Sequence, residues 1–261
     1  MAGQRPSDAA RAGARAGDRD GRGRVVLGAT CYADAEAALS IALALARQAG
    51  GGIEGVLVRD ENVLMAASHH RVRIVSYSGT SATATTGEAM LLAYQSDARR
   101  FEERLSGLAR EARIATGFRA IEGHLAEAVE EMVTAGDIAV LGVRRAFGDS
   151  GSVVVISDSD RALPAFAAPL AASLGKRLIV LSPAARKRQA AQASAGEDMP
   201  RSGSPGGLPA ETLVYEGADA LLRRLDALSP AAVIVAAGTS DLPALAQLVD
   251  AARCPVILGA G

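Results

Sequence analysis

Short β-branched runs alternate with alanine- and leucine-rich stretches along most of this 261-residue chain. The first run, residues 24–30, is followed by a stretch of Ala, Leu and Ile that opens at Asp34 and stops at Gly50-Gly51-Gly52. A second run, residues 53–58, comes directly after it. Two strands joined by a helix through short turns form a parallel, right-handed βαβ unit. The pattern therefore predicts an α/β fold with a mainly parallel sheet covered by helices.

The alternation runs through two weakly similar cycles. Further strands are predicted at residues 72–77 (an edge strand), 118–122, 137–143, 153–156, 177–181, 213–215, 233–236 and 254–258. Helices are predicted from Glu88, with an apolar stripe at Phe101, Leu105, Leu108 and Ala112, and through the segments that begin near Leu125, Leu163, Leu221 and Leu242. A repeat of roughly 120 residues is too long for a solenoid and indicates duplicated domains.

The predicted organisation has five parts. Residues 1–23 form a disordered tail, 24–150 a first domain and 151–261 a second domain. Residues 78–87, rich in Ser and Thr, form a mobile polar loop, and 183–209 form a flexible linker.

Composition excludes several classes of function. Aromatic residues make up only 3% of the chain and the net charge is −1, so neither a stacking platform nor a basic surface for nucleic acid is expected. Two cysteines suit a reducing compartment. No apolar run approaches the roughly 20 residues of a membrane span. The first 23 residues lack the apolar stretch of a secretory signal, which favours a cytoplasmic protein that is not embedded in a membrane.

Three stretches, taken in order, resemble the universal stress protein family. They are RVVLGAT with AEAALSIALALARQAGGGIEGVLV, GFRAIEGHLAEAVEEMVTAGDIAVLG, and CPVILG. The resemblance covers about 200 residues and implies two tandem, doubly wound parallel-sheet units of five-stranded type, packed as a pseudo-dimer within one chain. The first unit is expected to lack its own last helix and strand.

The resemblance also implies where a nucleotide would bind. Members that bind ATP carry an acidic residue at the end of the first strand and a glycine loop, G-x2-G-x9-G followed by Ser or Thr, after the fourth strand. In the first unit Thr30 stands in place of the acid, and Gly142 is followed by Val143 and two arginines, without the second glycine.

The second unit keeps more of the pattern. Asp158, or Asp160 just after it, is placed to serve as the acid. Gly238, Thr239 and Ser240 are expected to lead straight into a helix, which deletes the phosphate loop, and Asp241 is interpreted as the helix cap. The candidate ligand is ATP or AMP, and its candidate contacts are Thr30, Gly142, Asp158, Gly238, Thr239 and Ser240.

Other polar features have structural interpretations as well as functional ones. The loop at 78–87 lacks the Lys of a phosphate-binding loop. It is interpreted as a mobile surface segment, and a partner contact or a modification site are the alternatives. His69 and His70 have no ligand set of metal spacing nearby, and no metal site is predicted. His124 is either a solvated turn residue or a ligand contact. Cys31 is interpreted as a half-buried thiol rather than a redox sensor, and Cys254 as a core residue.

The function predicted from these observations is that of a non-enzymatic stress-response or regulatory binding protein with degenerate nucleotide sites and an unidentified protein partner. One alternative is a universal stress protein that binds ATP or AMP through non-standard phosphate contacts. Another is a regulatory domain that docks on a transporter or kinase. Assembly as a monomer or a homodimer stays open.

Overall fold

A computed structural model gives the fold of most of the chain. It describes residues 23–60, 63, 65–66, 73–75, 82–84, 86–143, 151–158, 162–184, 211–236, 238–239 and 242–259. The predicted tail up to residue 22 and the predicted linker from residue 185 lie outside these ranges.

Eleven strands and six helices are formed by the described residues. The strands are β1 (Val25–Ala29), β2 (Ile53–Arg59), β3 (Arg73–Val75), β4 (Ala82–Ala84), β5 (Thr116–Glu122), β6 (Ile138–Leu141), β7 (Val153–Ile156), β8 (Leu178–Pro183), β9 (Glu211–Tyr215), β10 (Ala232–Val235) and β11 (Val256–Gly259). The helices are α1 (Tyr32–Ala49), α2 (Gly87–Ala112), α3 (Leu125–Met132), α4 (Ala167–Ser173), α5 (Ala218–Leu228) and α6 (Leu245–Ala252).

Nine of these strands form one sheet in the order β5-β2-β1-β6-β11-β10-β7-β8-β9. Neighbouring strands are parallel everywhere except where β6 meets β11. The predicted α/β class with a mainly parallel sheet is confirmed. The two halves, expected as two sheets, are continuous in a single sheet, and the first half contributes four strands to it.

Three of the described helices cover each face of the sheet. Helices α1, α2 and α4 pack on one face, and α3, α5 and α6 on the other. The first apolar cluster lies between the sheet and α1, α2 and α4, and the second lies between the sheet and α3, α5 and α6. Successive residues of a strand point to opposite faces, so Val25 and Leu27 belong to the first cluster and Val26 belongs to the second. Both clusters contain residues from both halves of the chain. The halves therefore share two continuous cores built from Ala, Val, Leu and Ile.

Two helix starts differ from the sequence prediction. Helix α4 begins at Ala167, and Leu163 lies before it with 36% of its surface exposed. Pro164 explains this difference, because a residue that precedes proline is disfavoured in the helical conformation. Helix α6 begins at Leu245, with Ala244 as its N-cap residue, so Asp241 is not the N-cap.

The segment predicted as a polar loop is partly a strand. Residues Ala82–Ala84 form β4, which pairs antiparallel with β3 in a separate two-stranded sheet. The predicted edge strand at 72–77 therefore belongs to this small sheet and not to the large one. Helix α2 follows directly, with Thr86 accepting the backbone N–H of Ala89 at 3.2 Å.

Helix α2 packs closely on β2 because β2 carries a glycine at the contact. Phe101, Leu105 and Ala109 are the buried residues of this helix, so Ala109 takes the place predicted for Ala112. A Cβ atom on Gly55 would lie 2.6 Å from Leu105 Cδ2 and 3.2 Å from Phe101 Cζ. The missing side chain thus sets the separation between helix and sheet.

Substituting Gly55→Ala is expected to destabilise the protein by about 1–3 kcal/mol, because the added methyl group overpacks this contact. The matched control is Gly107→Ala on helix α2, where an added Cβ atom meets nothing within 4 Å. The control is expected to be neutral or stabilising by about 0.5–1 kcal/mol. Urea unfolding measures both, and equal effects of the two substitutions would contradict the packing argument.

A buried carboxylate joins β1 to the start of β6 at the amino ends of these strands. Asp137 is 4% exposed and accepts the Arg24 backbone N–H at 3.0 Å and the Arg24 Nε at 3.3 Å. The Thr134 hydroxyl donates to it at 2.8 Å. Arg24 also reaches the Met132 carbonyl at 2.7 Å. Burial alone raises the pKa of Asp137, but the hydrogen bonds from Thr134 and Arg24 outweigh it and lower the pKa below its usual value.

Replacement of this carboxylate by Asp137→Asn is expected to cost about 1–3 kcal/mol near neutral pH, since the donors lose a charged acceptor. Because the folded pKa is depressed, the stabilisation is present above the unfolded value of about 4 and is lost as the pH falls through the folded pKa. The gap between wild type and variant in urea unfolding should therefore shrink below about pH 4. A gap that stays constant down to acid pH would contradict this assignment.

Candidate functional site

The ends of the parallel strands form two crevices, one in each half. In the first half β1 lies between β2 and β6, and in the second half β7 lies between β8 and β10. Each place is a switch point, where successive connections leave to opposite sides and ligands of open α/β sheets usually bind. Because β6 and β11 are antiparallel, the two crevices open at opposite edges of the sheet. The six predicted contacts therefore cannot form one site.

Thr30 and Gly142 meet at the first crevice. The Thr30 hydroxyl donates to Asp34 Oδ2 at 3.2 Å, and the Gly142 N–H donates to the Gly28 carbonyl at 2.7 Å. A Cβ atom on Gly142 would lie 2.7 Å from the carbonyl oxygen of Asp34. Gly142 thus packs directly against the first turn of α1, which leaves no gap between that turn and the end of β6.

The N-terminus of α1 is occupied by carboxylates of the protein itself. Asp97 from α2 accepts the Tyr32 backbone N–H at 3.0 Å, and Asp34 lies in the first turn. A helix N-terminus attracts anions because its N–H groups are unsatisfied and its dipole end is positive. Here one of these N–H groups is already paired with a charged acceptor, and two negative charges stand where a phosphate would bind.

Cys31 and Tyr94 line the same crevice. Burial raises the pKa of the Cys31 thiol to about 11, and the charges of Asp34 and Asp97 act in the same direction. Burial also raises the pKa of the Tyr94 phenol, as does the nearby charge of Asp60. Both groups are therefore neutral at physiological pH, and Cys31 is half-buried as predicted. A thiol with a raised pKa is a weak nucleophile.

The rim of this crevice carries an ion pair and a histidine–aspartate contact at the ends of β2 and β5. Arg59 pairs with Glu122. His124 Nδ1 lies 3.7 Å from Asp60 Oδ2, with half of the His124 side chain exposed. His124 is the N-cap residue of α3 without a side-chain capping bond.

The second crevice is closed by a tight turn after β10. The Thr239 N–H and hydroxyl both donate to the Ala236 carbonyl, at 3.3 and 2.7 Å, and the hydroxyl also lies 3.4 Å from the Ile156 carbonyl. Gly238 has φ +69°, a left-handed conformation that glycine adopts without strain. Both donors of Thr239 thus serve the turn itself.

Asp158 lies beside this turn, at the end of β7. It is 2% exposed, and Ser157 before it is 1% exposed. The Ser182 hydroxyl donates to the Ser157 carbonyl at 2.9 Å and ties the end of β8 to the same place. The structure therefore brings Asp158, Gly238 and Thr239 together. Ser240, Asp160 and Asp241 lie outside the described residues.

The sequence reasoning missed Asp97. Its position on α2 follows Tyr94 by three residues and precedes Phe101 by four, so it continues the stripe of α2 that faces the sheet. A charged residue on an inward stripe was the available signal. Its target, the N-terminus of α1, lies 65 positions away in the chain.

Two other classes of site find no support in the described ranges. Within them, no group of three or more His, Cys, Asp and Glu side chains is placed to hold a metal ion. His69 and His70 fall outside those ranges. None of the described helices has the length and hydropathy to cross a membrane. Cys254 is fully buried in the second apolar cluster, which confirms its predicted place in the core.

Comparison with known proteins gives likeness to solved structures only. No family model and no curated protein matches the chain. A universal stress protein from Archaeoglobus fulgidus DSM 4304 is similar over 90% of this chain and 95% of its own, with 9% identity and a TM-score of 0.42. A functionally unknown protein from Pseudomonas aeruginosa PAO1 is similar over 90% and 92%, with 14% identity and a TM-score of 0.41. A candidate universal stress protein from Pseudomonas aeruginosa UCBPP-PA14 covers 91% and 92%, with 14% identity and a TM-score of 0.42.

The raised pKa of Cys31 predicts slow alkylation by iodoacetamide near neutral pH. In a Cys254→Ala background, the rate at Cys31 should climb as the pH approaches about 11, the value to which burial raises its pKa. Asp34→Asn removes a negative charge that raises the pKa of Cys31. It is therefore expected to speed alkylation at pH 8 by roughly 3-fold or more. Glu36→Gln, two residues further along α1, is the matched control. Fast labelling of the wild-type thiol at pH 7 would contradict the assignment.

Proposed function

We propose that this protein is a non-enzymatic binding protein of the stress-response or regulatory type, whose crevices have lost the means to hold a nucleoside triphosphate. The sequence resemblance given above is what connects it to universal stress proteins. The observation that carries the loss of phosphate binding is the Asp97 carboxylate on the N-terminus of α1.

Electrostatics supports this proposal at the first crevice. A triphosphate brings several negative charges to a place that already holds Asp34 and Asp97, and each like-charge contact disfavours binding. Arg59, a cation at the rim, is paired with Glu122. Thr30, in the position of the family's acidic residue, is engaged with Asp34. The first crevice is therefore suited to a structural role in the joint between α1, α2 and the sheet.

The second crevice supports one alternative, the binding of AMP or another adenine nucleotide through non-standard contacts. Asp158 is at the end of β7, and a carboxylate there suits the hydroxyl groups of a sugar. Gly238 adds no side chain to the turn that follows β10. The turn donors of Thr239 are used internally, which favours a ligand with few phosphates over ATP.

The deciding experiment looks for nucleotide in purified protein. After denaturation, absorbance and mass spectrometry are expected to find less than about 0.1 mole of nucleotide per mole of chain, and millimolar ATP should leave the melting temperature unchanged, since a ligand far below its Kd adds no stability. ATP hydrolysis should not exceed the blank.

The alternative makes a distinct set of predictions. Stoichiometric AMP, or a thermal shift from AMP that Asp158→Asn abolishes, would overturn the proposal in favour of the adenine nucleotide function. The matched control is Asp226→Asn, an exposed aspartate in the same half, which should leave any shift intact. A shift that both variants retain would place the ligand elsewhere.

A further inference from the structure

The first half of α2 offers a surface that the rest of the described fold does not cover. None of its residues from 87 to 100 is buried, whereas Phe101, Leu105 and Ala109 anchor the second half. Leu92 is 60% exposed and Leu91 is 37% exposed. One side of this half contacts α1 through Asp97, and the opposite side carries apolar side chains in solvent.

More apolar surface lies at the same corner of the molecule. Val63 and Met65 are 43% and 64% exposed and follow shortly after Asp60. Asp60 is hydrogen-bonded through its backbone to Tyr94, one turn from Leu91. Four of the five large apolar side chains that are exposed in the described part of the chain thus lie within five residues of Asp60 or Tyr94 in the chain. Concentrated exposed apolar surface of this kind marks interaction sites.

One stripe of α2 is self-complementary in charge. Glu88, Leu92, Gln95 and Arg99 recur at spacings of four, three and four, which places them along one side of the helix. All four are exposed, and neither Glu88 nor Arg99 forms an ion pair within the described ranges. Leu92, Gln95 and Arg99 also line an open concavity of about 350 Å³.

We propose that this stripe binds a second copy of the chain, with the two α2 helices antiparallel about a two-fold axis between Leu92 and Gln95. Glu88 and Arg99 each lie 5.5 residues from that midpoint, roughly 8 Å at the helical rise. An antiparallel partner therefore sets each Glu88 against an Arg99 of the other copy and each Leu92 against a Gln95. The same patch serves on both copies, as a two-fold dimer requires.

The acid-to-base order of the stripe is what selects a second copy over another protein. A parallel arrangement would set like charges against each other and is disfavoured. The contact is small compared with the roughly 800 Å² that each partner of a standard interface buries, so a micromolar dissociation constant is expected. Assembly through this stripe does not depend on whether the crevices bind a nucleotide.

Sedimentation equilibrium of the full chain tests the proposal over a range of concentrations. Wild type is expected to dimerise at about 10–100 μM, and Leu92→Glu to be monomeric there. Leu163→Glu, an exposed leucine in the other half, is the matched control and should dimerise as wild type does. Wild type that stays monomeric, or a Leu92→Glu variant that dimerises normally, would overturn the proposal.

Charge exchange tests the antiparallel register. Glu88→Arg and Arg99→Glu alone should each weaken association about 10-fold, and the double variant should return to within about 3-fold of wild type. Circular dichroism confirms that each variant keeps its helix content. Two single variants whose losses add in the double variant would refute the Glu88–Arg99 pairing.

Discussion

The antiparallel pairing of β6 with β11 is the constraint on which the whole arrangement depends. It joins Val140 and Leu141 of the first half to Val256 and Ile257 of the second, all of them buried. A strand edge this apolar is an aggregation hazard unless it is paired. Each half covers the exposed strand edge of the other. The two apolar clusters then run continuously through both halves.

The same pairing determines where chemistry is possible. By reversing strand direction at the centre of the sheet, it sends the two crevices to opposite edges, so residues of one half cannot complete the site of the other. Within the first crevice the positive end of the α1 dipole interacts with the Asp97 carboxylate. This contact holds α2 onto α1 and at the same time removes the positive end that an anion would need. The first crevice therefore holds a structural joint between α1 and α2.

The course of the chain could be predicted well because hydrophobic period and glycine stops are local signals. The strand at 153–156 was predicted to the residue, and α1 stops at the predicted glycines. Predictions failed where a local signal competes with another. Pro164 excludes Leu163 from α4, and the Ser/Thr composition of 78–87 hid a strand that pairs with β3. Asp241 was interpreted as a cap on composition alone, and the helix begins later.

The sequence by itself determined the α/β class and the alternation of strands and helices. It also predicted that Thr30 stands in place of an acidic residue and that no glycine phosphate loop follows Gly142 or Gly238. These follow from period, turn chemistry and spacing, which neighbours in the chain decide. Only the tertiary structure decided that both halves share one sheet, that the crevices face apart, and that Asp97 reaches the N-terminus of α1. Those facts depend on contacts between distant residues, whose partners no local pattern specifies.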